Sequence, residues 1–111
     1  MPHAKRSVQA AITIDGVPLI WRLHREQQLC TTDGWRGVAI HVSVVEGVRR
    51  ELHLEYPAVK TQKVGYTRTD FVRQNISPAK VLAHIRQAME AGWDPESRGK
   101  PFVFEVDELP G

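Results

Sequence analysis

The chain has 111 residues, of which 41% are hydrophobic and 25% charged, and its formal net charge is +2 at pH 7. That is the size of one domain with one modest core, and the composition, close to the globular average, argues against both a disordered chain and a membrane protein. The net charge is too small to indicate a nucleic-acid partner by itself.

No apolar run approaches the roughly 20 residues that span a bilayer, and the first nine residues lack the apolar core of a signal peptide. The single cysteine, Cys30, cannot form an internal disulfide, which agrees with a reducing compartment. A cytoplasmic protein with no membrane contact is therefore expected. Cys30 falls in a polar stretch and is read as a bystander, because a nucleophilic thiolate needs an adjacent base.

Residues 1–7 carry His3, Lys5 and Arg6 without an apolar anchor and are read as a flexible terminus, leaving 8–111 as a single domain. A hairpin comes next. Val8, Ala10, Ile12 and Ile14 alternate on one face, as do Val17, Leu19, Trp21 and Leu23, and Asp15-Gly16 suits a two-residue type I′ turn. That turn pairs Ile14 with Val17, Ile12 with Leu19, Ala10 with Trp21 and Val8 with Leu23, so all the apolar residues share a side. Pro18, opposite Thr13, would direct its missing N–H away from the first strand, which predicts a sheet edge there.

The alternation stops over residues 25–37, which reads as a long connection. Trp35 and Arg36 stand between Gly34 and Gly37, a pair of residue types that dominates interface energetics. They form a candidate binding loop, although the Trp35 indole is expected to fold back over the end of the core, where its large apolar area is best used.

A second hairpin follows, with Val38, Ile40, Val42 and Val44 inward on one strand and Leu52, Leu54 and Tyr56 inward on the other. A two-residue turn at Glu46-Gly47 would set inward residues against outward ones, so a loop of three or five residues is predicted. His41 then faces His53 in the three-residue register and Glu55 in the five-residue one. These outward residues are the nearest approach to a metal or acid–base constellation, but they lack a diagnostic ligand spacing and read as a solvated strand face.

Pro57 ends that strand. Residues 58–75 contain Lys60, Lys63, Arg68 and Arg73 against only Asp70, with Tyr66 and Phe71 interleaved. Cations among aromatic rings can describe a nucleic-acid surface, while the simpler reading is an irregular strand, placed around residues 62–68. A helix over residues 78–91 follows, with Ser77 as N-cap, Pro78 at the first position, and Ile76 and Val81 spaced as a hydrophobic staple. Val81, Leu82, Ile85, Ala88 and Met89 form its buried stripe, and His84 is read as surface. Gly92 supplies the left-handed stop and Trp93 the apolar contact after it. Phe102, Phe104 and Val106 alternate as a last strand.

The run Ala91, Gly92, Trp93, Asp94, Pro95, then Arg98, Gly99, Lys100, Pro101, Phe102 resembles the C-terminal signature of small uncharacterised bacterial proteins. In that signature a helix ends in Gly-Trp and a Gly-Lys-x-Phe turn enters a final strand. The resemblance implies an accessory or immunity-like partner and transfers no catalytic residues.

These elements predict an α+β fold with a mainly antiparallel sheet, order β-β-β-β-α-β, and one helix packed on one face. The leading functional expectation is a small soluble binding or accessory protein, not an enzyme, that acts through protein–protein contacts as a monomer or homodimer. Its candidate binding residues are Trp35, Arg36, Lys60, Lys63, Tyr66, Arg68 and Arg73. One alternative is an RNA- or DNA-binding module that uses the basic 60–73 segment. A second is a His-assisted or metal-dependent enzyme built on His41, His53 and Glu55. No cofactor is expected, and no residue is assigned to a metal.

Overall fold

Asp15 and Gly16 both take positive φ, 52° and 80°, the backbone that a type I′ turn demands and that Gly tolerates without strain. They join β1 (Gln9–Ile14) to β2 (Val17–Arg25) in the predicted register, with Ile14 opposite Val17, Ile12 opposite Leu19 and Ala10 opposite Trp21. The computed structural model describes residues 9–30, 34–58, 71–72 and 76–110. The expected pairing of Val8 with Leu23 lies outside them.

Two short strands, β3 (Gln27–Cys30) and β4 (Gly34–Arg36), occupy the stretch expected to be a long connection. They pair antiparallel, and β3 also pairs with β7 (Phe71–Val72) to make a three-stranded sheet of order β4-β3-β7. Backbone hydrogen bonds define these strands, and Gln27 and Gln28 supply no apolar alternation that would mark them. β7 places a strand within the 58–75 segment, while the strand expected around residues 62–68 lies outside the described residues.

The main sheet has five strands, in order β1-β2-β5-β6-β8, with β5 at Ala39–Val44, β6 at Leu52–Glu55 and β8 at Phe102–Glu105. All its pairings are antiparallel except β6 with β8, where the intervening helix returns the chain so that the second strand enters in the same direction. Pro18 does not mark a sheet edge, because β2 lies between β1 and β5. It is tolerated at the last rung: β5 ends at Val44, and the Pro18 carbonyl still accepts from the Val45 N–H at 3.1 Å. The β5–β6 register is the one a three-residue loop would give, with His41 opposite His53. The pairing nevertheless ends at Val42–Leu52, and the loop swings away, where the Arg50 N–H donates to the Ser97 carbonyl at 2.8 Å.

Helix α1 (Pro78–Glu90) begins as expected, with Ser77 Oγ accepting from the Lys80 N–H at 3.5 Å. It stops at Gly92, whose φ is 124°, and the Trp93 N–H closes on the Ala88 carbonyl at 3.0 Å. Trp93 is buried and its indole N–H donates to the Arg50 carbonyl at 3.0 Å, which ties the helix end to the loop entering β6. The core joins Ile14, Leu19, Trp21, Ile40, Val42, Leu52 and Leu54 of the sheet to Val81, Ile85 and Ala88 of the helix. The α+β prediction thus holds, with the helix over one face of the main sheet and Arg22, His41 and His53 on the other. No helix among the described residues is long and apolar enough to cross a membrane.

Candidate functional site

Strand alternation sends Arg22, His41 and His53 to the sheet face away from the helix, and the registers place all three on one rung. A bulge adds a fourth group. Between Leu23 and Arg25 the register slips by one, so His24 and Arg25 together oppose Ala39, and both side chains reach the same face. His24 stacks on His41 with ring centroids 3.9 Å apart, and His41 stacks on His53 at 3.7 Å with the planes 7° from parallel. Three imidazoles therefore run across β2, β5 and β6.

Carboxylates border the stack. Glu51, two residues before His53, brings Oε1 to 3.2 Å from His53 Nε2 and Oε2 to 3.9 Å from Arg22 Nη2. Glu55, the carboxylate favoured by the sequence as a partner of the histidines, is instead bound to Arg25 at 2.7 Å across the fully buried Ala39. His41 is pushed down to about 4, first by burial and then by the neighbouring His53 and His24, so its ring remains neutral in the stack at pH 7. The ligand atoms of His41, Glu51 and His53 all lie within 4.8 Å of one another.

Beyond this face, where β6 and β8 end, a cleft of about 350 Å³ is lined by Arg25, Arg36, Glu55, Glu105 and Asp107 around Gly37 and Pro57. Arg36 is exposed. Trp35 is on β4 opposite Leu29, while the packing expected of its indole lies outside the described residues, as do Lys60, Lys63, Tyr66, Arg68 and Arg73. At the opposite end of the sheet, a cleft of about 420 Å³ lies between the loops carrying Arg49 and Arg98. Arg49 there donates to the Val48 carbonyl at 3.1 Å.

His84 is not a surface residue: it is fully buried under α1. Its Nε2 lies 2.6 Å from Glu108 Oε1 and its Nδ1 lies 2.9 Å from the Tyr56 hydroxyl. An ionised carboxylate only accepts, so Nε2 carries the proton, and in the neutral ring Nδ1 accepts from Tyr56. Burial, then the Glu108 charge, raises the Tyr56 hydroxyl above its ordinary range. The hydrogen bond from His84, then Lys80, holds Glu108 below the ordinary carboxyl range. With Tyr56 only 5% exposed, the relay serves to join helix, sheet and C-terminal segment.

His84→Leu keeps most of the volume but leaves the Tyr56 hydroxyl unpaired, and should cost about 1–3 kcal/mol in urea unfolding. Adding Tyr56→Phe should recover part of that loss, and a double variant as unstable as the sum of the singles would contradict the relay. Because the folded state depresses Glu108, its contribution is present above the ordinary carboxyl range and disappears as pH falls through the depressed value. Glu108→Gln should therefore flatten the acid limb of the stability profile.

No family model, curated protein or solved structure matches the chain. The functional reading therefore rests on the site itself.

Proposed function

We propose that the protein is a small cytoplasmic binding or accessory module that acts through protein–protein contacts. Its docking surface is the outer face of the main sheet together with the Arg36 end. The observation that carries this reading is the pairing of opposite charges there: Arg22 with Glu51, and Arg25 with Glu55, the second pair sharing its cleft with Glu105. A polyanion requires a continuous positive surface, whereas paired charges around apolar groups give register and selectivity against another protein. Val103 supplies such a group, 58% exposed and level with His53 across the β6–β8 pair.

The immobilised wild-type chain and an Arg36→Glu/Val103→Arg double variant should be compared by capture from native extract. Stoichiometric recovery of one protein by the wild type, lost in the folded double variant, is the expected result. Recovery instead of nucleic acid, falling steeply with salt and indifferent to the double variant, would replace this reading with a nucleic-acid module using Lys60, Lys63, Tyr66, Arg68 and Arg73.

A further inference from the structure

The geometry points to a divalent transition-metal site formed by His41, His53 and Glu51 on the outer face of the main sheet. Two features of the backbone make the arrangement possible. Antiparallel pairing sets His41 directly opposite His53, and the two-residue period of a strand returns Glu51 to the side occupied by His53. The three donors therefore come from adjacent chain segments anchored in the five-stranded sheet.

The distances are close to those of a coordinated set. Around a tetrahedral zinc with bonds of about 2.0–2.2 Å, neighbouring donor atoms lie roughly 3.3–3.6 Å apart. Glu51 Oε1 and His53 Nε2 already stand at 3.2 Å, and the whole group lies within 4.8 Å. Closing the remaining gap requires the stacked His41 and His53 rings to tilt so that their lone pairs converge. All three residues are only partly buried, and the movement asked of them is a side-chain rotation.

The two carboxylate oxygens have separate tasks. Oε1 faces His53, while Oε2 faces Arg22 at 3.9 Å, so the arginine can hold the far oxygen while the near one binds the ion. His24 lies against His41 on the stack and is not one of the three convergent donors. Two imidazoles and one carboxylate suit zinc, cobalt, nickel or copper rather than calcium or magnesium, which prefer oxygen donors alone. Three protein ligands leave a position open for water or for a donor from another molecule. The site lies on the face proposed for docking and shares Glu51 with its Arg22–Glu51 pair, but metal binding needs no partner and is tested without one.

The probe is the full-length chain titrated with Zn²⁺ by calorimetry, and with Co²⁺ followed by visible absorption and by imidazole nitrogen NMR. One equivalent is expected to bind and to shift the His41 and His53 ring signals, while Mg²⁺ at the same concentration leaves them unchanged. His53→Gln and His41→Gln, each checked for cooperative unfolding, should weaken binding at least about tenfold, and Glu51→Gln should weaken it as well. His24→Ala should retain one equivalent. Absence of binding to the folded wild-type chain, or binding indifferent to both histidine variants, would overturn the site.

Discussion

Gly37→Ala is expected to be among the most damaging single substitutions in the chain. A Cβ built at Gly37 falls 2.0 Å from the Tyr56 carbonyl oxygen and 2.8 Å from the Pro57 carbonyl group. Both neighbours are backbone, so no rotamer change relieves the contact. The two segments are also held together, since the Tyr56 N–H donates to the Val38 carbonyl at 2.9 Å and Arg25 Nε donates to the Gly37 carbonyl at 3.0 Å. Making room would separate the end of β6 from β5, and Tyr56 would move away from His84. A cost of about 3 kcal/mol or more follows, beyond the usual range for a surface change. Gly16→Ala is the internal control: its φ of +80° is unfavourable for Ala, but nothing lies within 4 Å of the added carbon, so roughly 1 kcal/mol is expected. Urea unfolding of the two variants checks the comparison, and equal losses would contradict the close approach.

Much of this fold was legible where turn chemistry and apolar alternation agree. Asp15-Gly16 and the residues around it gave the register of the first hairpin over the described residues, because a one-residue slip would turn every apolar side chain outward. The same parity narrowed the second hairpin to two registers, and the structure takes the one that sets His41 opposite His53, although the loop itself leaves the sheet early to meet Ser97. Legibility failed where backbone bonds act without a side-chain pattern. β3 and β4 are too short and polar to show a period, and the bulge that brings His24 and Arg25 to one face has no signature in this chain.

His84 was missed for a different reason. It falls on the stripe of Val81, Ile85 and Ala88, at the i+3 position that a buried helix face includes. Its polarity concealed this, and the partners that make its burial tolerable, Tyr56 and Glu108, lie 28 and 24 residues away. For the candidate site, the sequence supplied two of the three donors. Glu51 and Glu55 have the same parity, and the Arg25 side chain decides between them by engaging Glu55.

The other large effect concerns the C-terminal segment, and it requires more than the loss of one strand. A chain ending at Lys100 lacks β8, whose Phe102 N–H donates to the Glu51 carbonyl at 2.8 Å, and it also lacks the Val106 N–H bond to Glu55 at 2.9 Å. Phe102 and Phe104 pack against the core and Val106 is buried within it. Their removal forfeits roughly 1.5–3 kcal/mol for each large apolar side chain and exposes a β6 edge that other chains could pair with. The segment after β8 also secures the helix from its far side. Glu108 binds the buried His84, and the Pro110 carbonyl accepts from the Ser77 N–H at 2.8 Å, beside the N-cap. Truncation therefore releases one edge of the sheet and the start of α1 together. The losses approach the whole stability of an ordinary domain, about 5–15 kcal/mol, so the shortened chain should show no cooperative thermal transition and should aggregate. A monomeric truncated chain with a sharp transition in calorimetry would show that the core closes without β8.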